Sequence, residues 1–158
     1  MDWKMMSVVA PALMVIAASP ALAADHSIGV WKRDLSNTTY ADANPNPISA
    51  MIMTRTAIPG GLKIHSVGNR ADGTKIDYTV EVKYDGKDHA VTGYGSVFDT
   101  IAVTQIDADH FPSITKKGKY HMRGMTVISN GGKTMTITNE GTDAAGHPTH
   151  FEVTWQKQ

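Results

Sequence analysis

The stretch Lys75-Ile76-Asp77-Tyr78-Thr79-Val80-Glu81-Val82-Lys83-Tyr84 alternates without a break. Ile76, Tyr78, Val80, Val82 and Tyr84 are apolar or aromatic, and Lys75, Asp77, Thr79, Glu81 and Lys83 between them are polar. Successive side chains of an extended chain point to opposite faces, so this period of two predicts a strand with one buried and one wetted face, as in an antiparallel sheet.

Working outward, shorter stretches repeat the pattern at 48–56, 62–67, 98–106, 120–128, 134–140 and 149–156. Weaker candidates are 27–33, 89–92 and 109–116. Pro112 weakens the last, because proline cannot donate to a ladder and belongs at an edge or a bulge. Between the candidates lie Pro59-Gly60-Gly61, Asp72-Gly73, Asp85-Gly86, Gly93-Tyr94-Gly95, Lys117-Gly118, Asn130-Gly131-Gly132 and Ala145-Gly146. These are turn formers that supply the positive backbone angles tight hairpins require.

Connections this short have no room for crossover helices, so consecutive strands are expected to be antiparallel neighbours in a meander. A meander of about eight to ten strands removes its exposed edges by closing into a barrel, which encloses room for one small ligand. A two-sheet sandwich would usually need longer crossing connections. The expected fold is therefore all-β, a single up-and-down antiparallel β-barrel formed by residues 24–158 as one domain. One connection differs from the rest. Asp34 to Pro47 is polar and rich in turn residues, which predicts a loop between the first and second strands, placed to overhang the barrel mouth. Its Asn37-Thr38-Thr39 fits a glycosylation acceptor, a pattern common by chance.

Residues 1–23 read as an export signal. Lys4 gives a positive start, Met5 to Ala18 is mostly apolar, Pro20 breaks the run, and Ala21-Leu22-Ala23 offers a small-x-small cleavage pattern. A bilayer span needs roughly 20 apolar residues, and this run is interrupted by Pro11 and stops sooner. Cleavage near Ala23 and a periplasmic or secreted product are expected. The sequence has no cysteine, so an exported domain must be held by apolar burial, without disulfides or a lipidated amino terminus. With 15 basic and 15 acidic residues the chain carries no net formal charge, which argues against a nucleic-acid or anionic-membrane partner. A monomer or weak dimer without a membrane span is expected.

Gly29-Val30-Trp31 on the first strand, the meander, and a last strand ending Trp155-Gln156-Lys157 resemble the calycins, the lipocalin and fatty-acid-binding barrel group. That resemblance implies that the Trp31 indole plugs one barrel end. Tyr84-Asp85-Gly86-Lys87-Asp88, Gly132-Lys133-Thr134-Met135-Thr136, Gly141-Thr142-Asp143 and Gln156-Lys157-Gln158 look like small exported bacterial proteins with lipocalin-like barrels and no assigned function. Fatty-acid carriers of the group would show Arg-x-Tyr on the last strand to grip a carboxylate. Here the matching positions are Val153 and Trp155, which departs from a fatty-acid site but not from apolar ligands in general.

The function expected from this architecture is binding of a small apolar or amphipathic molecule, with Tyr78, Tyr94, His121, Arg123 and Trp155 as candidate ligand contacts. His121, Arg123, Met125 and Val127 share one strand face, and Met122, Gly124, Thr126 and Ile128 share the other. Alternation alone does not say which of the two is inward. Two further classes stay open. A barrel enzyme of the lyase, isomerase or hydrolase kind would need acid-base chemistry, for which His65, His121, Tyr78 and Asp99 are candidates. No Gly-x-Ser-x-Gly elbow or dinucleotide motif accompanies them, and no cofactor is implied. Copper binding would draw on Met51, Met53, His121, Met122 and Met125, a soft set without fixed ligand spacing; no metal ligand is assigned.

Overall fold

In a computed structural model of the protein, residues 24–40 and 46–158 are described. The expected export signal at 1–23, and residues 41–45 of the 34–47 connection, lie outside the described residues. The described chain forms eleven strands and no helix: β1 (Gly29–Tyr40), β2 (Ile48–Ile58), β3 (Gly61–Arg70), β4 (Lys75–Lys83), β5 (His89–Ala90), β6 (Thr92–Tyr94), β7 (Thr100–Val103), β8 (His110–Lys117), β9 (Tyr120–Ser129), β10 (Thr134–Thr142) and β11 (Pro148–Lys157). They make one sheet in the order β5-β7-β8-β9-β10-β11-β1-β2-β3-β4-β6, every neighbouring pair antiparallel. The first strand pairs with the last, which rolls the meander into a barrel.

The two nominal edges, β5 and β6, are separated in sequence only by Val91. One short segment therefore pairs with β7 through its first half and with β4 through its second, and the chain itself spans the seam. Val91 N–H donates to Asp99 O at 2.8 Å, and Gly86 N–H to Val103 O at 3.1 Å, beside this crossing. Gly93 permits it: its φ is +107°, and a Cβ there would stand 2.2 Å from the Asp77 carbonyl oxygen. No side chain fits so close to another backbone.

Alternation assigns the faces. On β4, Ile76, Val80 and Val82 are buried, as the opening stretch requires. The interior also takes in Met51, Met53, Leu62, Ile64, Phe111, Met135, Val153 and Trp155. Trp31 is fully buried at one end, where its Nε1–H donates to Ser27 O at 2.8 Å and Lys157 Nζ lies 5.0 Å from the ring centroid. Asp25 closes that end by accepting from Ser27 N (2.8 Å), Ser27 Oγ (2.6 Å) and the Tyr84 hydroxyl. Burial, then the hydrogen bond to Asp25, push the Tyr84 phenol up from its ordinary value.

Three segments differ from expectation. Residues 34–40 are strand, not loop: β1 passes a bulge and pairs again, Thr38 to Tyr40 against Val153 to Phe151. Between Asp34 and Thr38 the partner advances by a single residue, from Thr154 to Val153, so Leu35, Ser36 and Asn37 are extruded. Asp34 stitches the bulge. Its carboxylate accepts from Ser36 N (3.0 Å), Ser36 Oγ (2.6 Å) and Asn37 Nδ2 (3.2 Å), and Thr38 Oγ1 donates to the Asp34 carbonyl at 3.1 Å. Second, β7 covers only Thr100–Val103 of the expected 98–106. Third, Pro112 sits inside β8. Its carbonyl accepts from Thr104 N at 3.0 Å, so its missing N–H faces the side on which β7 has just ended at Val103.

Candidate functional site

The barrel holds a partly open cavity of about 180 Å³. Its wall is mostly apolar, with Met51, Ile64, Val80, Ile101, Phe111 and Val153 among its residues. β2, β3 and β4 contribute through the inward phase of their alternation, and β7, β8, β9, β10, β11 and β1 complete the circle.

A few polar groups interrupt this wall. Tyr78 projects from β4, and its ring meets Phe98 edge-on, with centroids 5.9 Å apart and planes at 74°. Burial raises its phenol above the ordinary value. Burial likewise raises Tyr120, which lines the wall from β9. Asn139 and Ser113 reach inward across Gly124, where a Cβ would stand 2.6 Å from Asn139 Oδ1 and 2.8 Å from Ser113 Oγ. Glycine at 124 thus makes room for two polar side chains.

Two arginines belong to the same wall, and among the described residues no aspartate or glutamate does. Arg33, on β1, lies with its guanidinium carbon 5.7 Å from the centroid of the Trp155 ring, a cation–π arrangement. Arg55, on β2, is 7 % exposed. Its side chain runs back along its own strand, and Nε donates to Met53 Sδ at 3.3 Å, which carries the guanidinium from the plugged end toward the cavity. Burial lowers its pKa from the ordinary arginine value, and Tyr84, Asp25 and Tyr78 oppose that shift. A guanidinium starts so high that it keeps its charge at neutral pH. The indole Nε1–H of Trp155 is buried with no acceptor among the described residues.

Of the residues expected at a ligand site, Tyr78 and Trp155 line the cavity together. Tyr94, on β6, is 57 % exposed and stands away from it. His121 and Arg123 are on the outer face of β9 and are exposed, because the buried phase of that strand is Tyr120, Met122, Thr126 and Ile128. Arg123 joins Glu140 and His150 in open depressions on the outside. The acid-base candidates are not brought together. His65 Nε2 meets Asp77 Oδ1 at 3.0 Å on the outer face, Asp99 pairs with Lys117 Nζ at 2.9 Å, and Tyr78 is inside. The soft-ligand set is likewise divided: Met51 and Met53 line the cavity, while His121 is outside. No group of three or more histidine and carboxylate side chains is positioned for a metal ion among the described residues.

Arg33 and Arg55 were not singled out by sequence reasoning. The signal was present for Arg55, since Met51, Met53 and Arg55 follow at intervals of two on one face of β2. A cation in the apolar phase of a strand is the mark of an inward charge.

No family model matches the chain, and no curated protein matches it. Solved structures do. An S-type phycobiliprotein lyase from Guillardia theta superimposes with a TM-score of 0.54 at 10 % identity, over 84 % of this chain and 89 % of that one. A redesigned β-barrel, mFAP1, bound to DFHBI gives a TM-score of 0.42 at 12 % identity, over 84 % and 95 %. At such identities the likeness is one of fold: this chain is an all-β antiparallel meander closed into a nearly complete barrel.

Proposed function

We propose that this chain is an exported carrier that holds one small, mostly apolar molecule inside its barrel. The observation that carries the reading is the partly open interior cavity of about 180 Å³ with an apolar wall and a few inward polar groups. Apolar walls supply affinity by burial, and sparse polar groups fix orientation. The volume sets the scale of the occupant. An apolar protein cavity of about 150 Å³ takes up benzene, so this one suits a body of about one ring. Export is part of the proposal and rests on the charge, apolar run and small-x-small pattern of residues 1–23.

Native mass spectrometry of protein exported with its own signal, followed by organic extraction, tests the reading. A stoichiometric organic molecule of that size, released on denaturation, and an amino terminus beginning near Ala24 are expected. A protein that travels empty and whose melting temperature is unmoved by any one-ring probe would overturn it.

A further inference from the structure

Resting on that reading, we infer that the occupant is a compact monoanion, a one-ring body bearing a carboxylate or an equivalent acidic group, and that Arg55 seats the charge. Among the described residues, the wall holds two guanidinium groups and no carboxylate. Arg55 is more than nine-tenths buried, and no acid lies within ion-pair distance of it among the described residues. A buried cation is tolerated when it is paired, and removing a charge from water without pairing it is costly.

The acid that acts on it, Asp25, is committed elsewhere. Asp25 accepts from Ser27 and from the Tyr84 hydroxyl at the plugged end, which fixes it below the cavity floor. Among the described residues the Arg55 side chain donates from Nε to a thioether sulfur, a weak acceptor, and its terminal nitrogens are left for a ligand. Those nitrogens are the pair that a carboxylate meets with two parallel hydrogen bonds.

The rest of the wall points the same way. Trp155 adds a buried N–H with no acceptor among the described residues, and indole and guanidinium can only donate. The Arg55 fork and the Trp155 N–H are thus two donors that an occupant bearing acceptors satisfies. The seat is on β2, separated from β11 by β1, so it is not the last-strand arrangement of a fatty-acid carrier.

Calorimetric titration of the purified full-length protein with trans-cinnamate and, separately, with cinnamyl alcohol tests this. The two share ring and length and differ in charge. The acid is expected to bind at least about tenfold more tightly at neutral pH. In Arg55→Gln the preference should collapse to about unity through loss of acid affinity, and in Arg55→Lys it should persist in part. Equal binding of acid and alcohol to the parent overturns the anion inference and leaves the carrier reading standing; that comparison needs no variant to fold. An acid preference that survives in Arg55→Gln overturns the assignment to Arg55. Binding of neither probe overturns the inference, and the carrier reading then stands or falls by the native mass spectrometry above.

Discussion

Trp31 joins two roles that a smaller residue cannot combine. Its ring fills the end of the barrel with no exposure, and its N–H ties that filling to the backbone at Ser27. Trp31→Ala should therefore lose apolar burial, leave a cavity and orphan the Ser27 carbonyl together. The expected cost is about 3 to 5 kcal/mol, read as a shift in the urea midpoint at unchanged slope. A variant with the parent's midpoint would show that the indole is not the plug. Arg55 is the opposite case. Its burial costs stability, so occupancy of the cavity by an anion should raise the melting temperature, an effect that follows ligand concentration.

At the scale of elements, the turns and the bulge share one device. Asp34, Asp72, Asp85, Asp107 and Asp143 each have a pKa below the ordinary carboxylate value. In each case the largest cause is a hydrogen bond from a residue a few positions on, such as Ser36 for Asp34 and His147 for Asp143. A folded-state pKa below the unfolded one means that the unfolded chain binds more protons. The stabilisation is present above about pH 4 and is lost as pH falls through the folded values. Melting temperature should be flat from about pH 6 to 5 and decline below about pH 4, with a shallower acid limb in Asp143→Asn. An acid limb unchanged by that substitution would remove Asp143 from the set. Where hairpins are regular, the sequence is legible: 75–84 alternates because its two faces meet different surroundings, and Tyr78 could be placed at the wall from that pattern alone. Where regularity breaks, the legibility goes. The three extruded residues at 35–37 shift the inward phase of β1 from Trp31 and Arg33 to Thr38. On β9 both phases carry apolar residues, so His121 and Arg123 could be assigned outward only from observed burial. The short β5, β6 and β7 lack the length for a period to show.

At the scale of the molecule, closure explains the stability of a chain without cysteine. Each full-length strand is paired on both sides, and the interior is shared by all the strands that face it. The pairing of β1 with β11 also brings the two ends of the domain side by side, with Gln158 N–H donating to Val30 O at 2.9 Å and Lys157 Nζ to His26 O at 3.3 Å. Seen from inside the ring, the covalent gap between last strand and first is one hairpin connection missing among many. A circular permutant that joins Gln158 to Ala24 by a short linker, and opens the chain at Asn130-Gly131-Gly132, should keep the same barrel and the same far- and near-ultraviolet spectra. The domain is then a cyclic order of strands, indifferent to the point at which its synthesis begins.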